Sequence, residues 1–179
     1  MKSIKKLTAL VLALTLVLGM GGTAQAAEGD KPILALGADL SADQRATVLG
    51  LLGISESDLG DYDVISITNA EEHQYLDAYL SSGVIGTRAL SSVLIRPAEE
   101  GAGLNVSTYN ISYCTIDMYT NALLTAGLQD ANVYVAAPSN ISGTSALIGA
   151  VKGYAEMNGS KVDEQALETA VNELVVTGD

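Results

Sequence analysis

The 179-residue chain has no tryptophan, no phenylalanine, one histidine, one cysteine and three prolines, and nine basic residues face 21 acidic ones. Each shortage excludes something. The lone Cys114 cannot close an intramolecular disulfide, and it is expected to be buried as a small apolar residue. With tyrosine the only aromatic residue present, stacking platforms for sugars or bases are scarce. A formal net charge of −12 makes nucleic acid and anionic lipid surfaces poor partners, because a phosphate backbone is repelled rather than neutralised. The single histidine, His73, cannot make a histidine pair for zinc, and any histidine-assisted hydrolysis must pass through it. No Gly-x-Ser-x-Gly elbow, Walker loop or dinucleotide-binding glycine fingerprint occurs, so no catalytic residue, metal or cofactor is assigned.

What is present begins with a leader. Lys2, Lys5 and Lys6 precede an uncharged apolar run over residues 7–18, a glycine-rich patch over 19–22, and Ala24-Gln25-Ala26. These are the basic, apolar and small-residue parts of a secretory signal peptide spanning residues 1–26. The apolar run falls well short of the roughly 20 residues needed to cross a bilayer. Cleavage after Ala26 leaves a single domain, residues 27–179, and losing three lysines carries its net charge to −15. Every later apolar run is interrupted by polar residues, so the mature product is expected to be secreted or cell-wall associated, without stable membrane insertion. A chain of this size buries about 70% of its unfolded surface and has no need of disulfides.

Hydrophobic periodicity and capping residues divide the mature part into alternating elements. Residues 33–36 read as a strand. Ser41 and Gln44 form a capping box for a helix carrying Val48, Leu49 and Leu52 and stopping at Gly53. After a polar loop over 55–63, residues 64–67 read as a second strand. Thr68 with Glu71, or Asn69 with Glu72, caps a helix expected to run to about Ser81. Residues 91–97 and 104–111 are β-type runs joined by a glycine-containing loop, which predicts a hairpin. Thr115 caps a helix ending at Gly127, residues 133–136 form a fifth strand, 138–142 a hydroxyl- and amide-rich loop, 143–157 a small-residue helix, and 163–175 a final amphipathic helix. The fold class is therefore α/β: a mixed sheet of about five strands, built from two βα units, a central β-hairpin and a further βα unit, covered by helices.

The same design, an apolar strand followed by a polar loop and a capped helix, recurs at residues 37–41, 68–72 and 138–144. Parallel strands would open all three loops on one sheet edge, where a polar ligand or an anion can bind. This makes Asp39, Ser41, Thr68, Asn69, His73, Asn140, Ser142 and Thr144 candidate ligand-binding residues, although plain capping accounts for Ser41, Thr68, Asn69 and Ser142 equally simply. Arg88 is one of only three arginines. It is expected to pair internally with a carboxylate, the other use of its planar fork being an anionic ligand. Asp58, Asp61 and Asp63, or Glu99 and Glu100, read as solvated acid: the spacing lacks the EF-hand pattern, and a glycosidase would want aromatic platforms.

The segments LALGADLS (34–41), ITNAEEHQYL (67–76), IGTRALSS (85–92), GAGLNVSTYNIS (101–112), YTNALLTAGLQDANVYVAAP (119–138) and SGTSALIGAVKGY (142–154) closely resemble the exported bacterial proteins grouped as domain of unknown function 1002. The resemblance implies export in bacteria and carries over no site residues. Family members usually continue past the equivalent of residues 173–176 into further helical sequence, so the resemblance implies either a C-terminally short member or a truncated one. A non-catalytic binding or accessory protein at the cell envelope is the expected function, its partner an envelope protein or a small polar ligand. The alternative is an envelope hydrolase pairing His73 with a loop serine, Ser41 or Ser139, or using two carboxylates.

Overall fold

The computed structural model describes residues 31–157 together with Thr169 and Asn172. The leader, its cleavage site and the helix expected over 163–175 lie outside the described residues, apart from Thr169 and Asn172, both helical and exposed. Five strands form one mixed sheet: β1 (Ile33–Gly37), β2 (Asp63–Ile67), β3 (Ser92–Pro97), β4 (Leu104–Ile111) and β5 (Ala131–Ile141), in the order β2-β1-β3-β5-β4. β1 pairs parallel with β2, and β4 parallel with β5, while β3 is antiparallel to both β1 and β5. Four strands thus share one direction and β3 alone opposes them.

The helices are α1 (Ala42–Leu51), α2 (Asn69–Leu76), the one-turn α3 (Ser82–Ile85), α4 (Ile116–Ala126) and α5 (Thr144–Met157). Local chemistry starts three of them. Ser41, Thr68 and Thr115 each accept a hydrogen bond from the backbone N–H three residues on, which satisfies one of the donors a helix leaves free at its start. Helix α1 covers one sheet face over a small core of Leu34, Leu36, Val48, Leu49, Leu52, Leu94 and Ala136. The other face carries the larger core, to which α2, α4 and α5 contribute. Helix α5 is buried over most of its surface. It lies close on β1 because glycine faces the strand: a Cβ on Gly149 would sit 2.8 Å from Ala35 Cβ. Fully buried side chains such as Leu147 and Ile148 each contribute roughly 1.5–3 kcal/mol through removal from water.

Three sequence expectations need correction. The β-type runs at 92–97 and 104–111 are antiparallel but do not form a hairpin, because β5 lies between them. β5 is the more apolar strand, with Ala131, Val133, Val135 and Ala136 wholly buried, whereas β4 alternates apolar positions with Asn105, Ser107 and Thr108 and suits an edge. The connecting loop arches over the start of β5, where Ala98 N–H donates to Asp130 O at 3.1 Å and Ala131 N–H to Gly103 O at 3.2 Å. Helix α2 ends at Leu76, not near Ser81, and α3 carries the chain back to the edge it left. This return makes β3 antiparallel. The loop expected over 138–142 is formally the end of β5, yet residues 137–140 have no ladder partner; pairing resumes only at Ile141 with Ile111. Pro138, lacking an N–H, could not have donated to a ladder. The polar loop over 55–63 contains a short 3-10 helix, Glu56–Asp61.

Candidate functional site

Because β1, β2 and β5 run the same way, the three strand-to-helix loops do open on one edge of the sheet. The end of β4 and the start of β3 lie there too. At that edge is a cavity of about 460 Å³, within the roughly 300–1,000 Å³ range of small-molecule sites. One wall is the segment from α3 to Leu90, including Gly86, Thr87 and Arg88. The opposite wall is Ser112 and Tyr113 after β4, with Ile141 and Ser142 at the end of β5. Only the third of the repeated loops contributes lining residues directly; the first two hold the α3–β3 segment from behind.

Asp39 makes two contacts across that junction. Its Oδ2 accepts from Ala89 N–H at 2.8 Å, and its own N–H donates to Ala89 O at 3.1 Å. Asn69 Nδ2 donates to Gly86 O at 3.4 Å and to Glu72 Oε2 at 3.1 Å. His73 reaches the same carbonyl: Nε2 lies 3.0 Å from Gly86 O, and Nδ1 lies 2.7 Å from Asp77 Oδ1. Both ring nitrogens therefore face acceptors, and only the imidazolium can donate to both. The Asp77 carboxylate first, and the Gly86 carbonyl second, push the His73 pKa above its ordinary value. This histidine tethers a loop. It presents no basic lone pair to a hydroxyl.

Glu72 is the group that sequence reasoning placed only as a capping partner. It is 1% exposed, and its Oε1 accepts from Thr144 Oγ1 at 2.7 Å while Oε2 accepts from Asn69. Burial raises its pKa, and the hydrogen bonds from Thr144 and Asn69 offset that only in part. Thr144 Oγ1 also lies 3.2 Å from Ser142 Oγ on the cavity wall. Beside it, Ser91 Oγ accepts from Ala146 N–H at 2.9 Å, so a loop serine occupies a donor at the start of α5. Gln44 and Glu71 N–H are likewise taken by their caps, so each of these helix starts has one fewer free donor.

The sequence-derived residues thus sort by position. Arg88 and Ser142 line the cavity. Asp39, Asn69 and His73 fix the wall that carries Arg88, and Thr144 ties Ser142 to buried Glu72. Ser41 and Thr68 are exposed capping residues, and Asn140 is exposed on the unpaired stretch of β5. The expected internal ion pair of Arg88 does not form. Among the described residues Arg88 has no hydrogen bond or ion pair, whereas Arg45 meets Glu56, Arg96 meets Tyr62, Lys152 meets Glu71 and Lys31 meets Gly60 O. The Asp39 carboxylate is bonded to the N–H of the adjoining Ala89 instead. Ser112, Tyr113 and Gly86 went unnoticed in the sequence, since nothing local marks them as neighbours.

Cys114 is buried as expected, and burial pushes its thiol pKa up to about 12. A thiol reagent at pH 8 should modify the native protein on the order of 1,000-fold more slowly than the guanidinium-unfolded chain, because so little thiolate is present. Comparable rates in the two states, read by mass spectrometry, would show that the region around Ser112–Thr115 opens readily.

Residues 36–179 match the family described as "Protein of unknown function (DUF1002)". The chain belongs to that family. It is also 45% identical over 156 residues to "Uncharacterized protein YpuA" of Bacillus subtilis (strain 168), an alignment covering 87% of this chain and 52% of the relative. The chain spans about half the length of that curated family relative. No solved structure matches this chain. Family membership thus brings no activity with it. No described helix is long and apolar enough to cross a membrane. Among the described residues, no three His, Cys, Asp or Glu side chains gather as metal ligands.

Proposed function

We propose that this chain is an exported, non-catalytic binding protein of the bacterial cell envelope, which holds a small ligand in the cavity at the carboxyl edge of its sheet. One observation carries the reading: the cavity is lined by Arg88, the only cationic side chain among the described residues without a partner. An unpaired guanidinium in so acidic a protein is a binding group held in reserve. The basic, apolar and small-residue leader supports export. Ligand crevices at the carboxyl ends of strands are the usual solution in open α/β sheets.

The hydrolase reading has the Asp77–His73 couple in its favour, which is two-thirds of a triad. Its third position is filled by the Gly86 carbonyl, and a carbonyl cannot be activated as a nucleophile. Ser41 is bonded to Gln44 in its own cap.

The test uses the protein as cells release it. Its N-terminus should begin at Ala27, and native mass spectrometry after exposure to envelope extract should show a retained low-mass ligand that Arg88→Gln loses. Retention in the cytoplasm, absence of any ligand, or turnover of a wall substrate that vanishes in His73→Ala would each defeat the proposal.

A further inference from the structure

The lining of the cavity narrows the ligand class, on the binding reading just given. Arg88 is the only charged side chain among its lining residues. The other lining residues include the hydroxyl-bearing Thr87, Ser112 and Ser142 and the apolar Ile85, Leu90 and Ile141. Tyr113, 38% exposed, stands on the wall opposite the Arg88 loop. One guanidinium fork matches one carboxylate with two parallel hydrogen bonds. A phosphate group would bring up to two negative charges, leaving part uncompensated inside a protein whose formal charge is already −12, and the protein's field works against that excess. The apolar lining favours a ligand with a hydrophobic body over a bare anion. We infer that the cavity takes a small monoanionic carboxylate attached to an apolar group, such as an N-blocked aliphatic amino acid or the carboxyl end of a short apolar peptide, with Arg88 gripping the carboxylate.

The arrangement that presents Arg88 fits this use. The Gly86 carbonyl two residues before it is held by both Asn69 and His73, and Ala89 immediately after it is held on both sides by Asp39. The backbone flanking Arg88 is therefore fixed while its side chain is left unpaired, which lowers the cost of ordering the site on binding.

Calorimetric titration of the exported protein with N-acetyl-leucine, N-acetyl-leucinamide and inorganic phosphate separates the possibilities. N-acetyl-leucine should bind at least about 10-fold more tightly than the amide or phosphate, and its affinity should fall as salt rises. Arg88→Gln should erase the preference for the acid over the amide with an unchanged melting temperature, since the side chain is exposed and bonded to nothing. Arg88→Lys should keep only part of that preference, having charge without the fork. Equal binding of acid and amide, or a preference that survives in Arg88→Gln, would overturn the inference. So would tightest binding of phosphate, which would leave the binding reading intact with a different anion. Failure of all three probes would also overturn the carboxylate assignment. The binding reading itself survives that failure as long as a ligand is still retained from envelope extract.

Discussion

Gly37→Ala is expected to destabilise the protein by about 3 kcal/mol, equivalent to a melting temperature lower by roughly 6–12 °C for a domain of this size. Gly37 ends β1, and a Cβ built on it would lie 2.4 Å from Ala89 O, 2.7 Å from Ala89 C and 2.9 Å from Leu90 Cα. All three are backbone atoms, so no side chain can swing aside. The 86–91 segment would have to move as a unit. That movement would strain the bond from Gly37 N–H to Ser92 Oγ at 3.1 Å and the double contact between Asp39 and Ala89. Ligand affinity should fall together with stability, because this segment carries Arg88. Gly50→Ala is the control: nothing lies within 4 Å of its Cβ position, and it sits exposed in α1, where alanine should stabilise by up to about 1 kcal/mol. A Gly37→Ala variant melting within 2 °C of wild type would mean that the segment is not held as described.

Glu72→Ala should cost about 2–3 kcal/mol at pH 5, since it leaves the buried Thr144 hydroxyl without its carboxylate acceptor, weakens the hold on Asn69 and opens a small void. Glu72→Gln keeps an acceptor for Thr144 and removes the ionisable group, which gives the pair a pH signature. The folded pKa of Glu72 lies above its ordinary value. The neutral acid is therefore the form that folding favours: its contribution is fully present below the ordinary carboxylate pKa of about 4.3 and is lost as pH rises through the higher folded value. Wild type should compare best with Glu72→Gln near pH 4 and progressively worse toward pH 8, measured by chemical denaturation at each pH. A stability difference that is flat across this range would show that Glu72 is not buried in solution. His73, also raised, shifts stability in the same direction at higher pH. It is common to both proteins, so the comparison cancels most of its effect.

Much of the fold is legible in the residues. The caps at Ser41, Thr68 and Thr115, the stop at Gly127 and the full extent of β4 emerge where local pattern places them. The misreadings share a cause. Tyr79 and Leu80 continue the helical spacing of Tyr75 and Leu76, so the pattern alone runs α2 on past the turn at Asp77. Two β-type runs with a short glycine-containing connection look like a hairpin whether or not a third strand later enters between them.

The site divides the same way. Asp39, Asn69, His73, Ser142 and Thr144 do gather at one edge, because parallel strands followed by capped helices place their loops there, whereas Arg88 joins them only because α3 returns the chain to that edge before β3. Their division into cavity wall and wall support was not visible, nor was Glu72 as the buried centre of the polar network.

What the residue order determines by itself is local. A capping hydroxyl and its N–H are three positions apart, and an apolar stripe needs only a few turns to declare itself, so helix starts, strand candidates and the acidic character of the protein follow directly. The central place of β5, the reversal of β3 and the freedom of Arg88 depend on contacts between residues tens of positions apart. Those are decided only when competing apolar strands and competing carboxylates are packed together, and the best-buried arrangement wins.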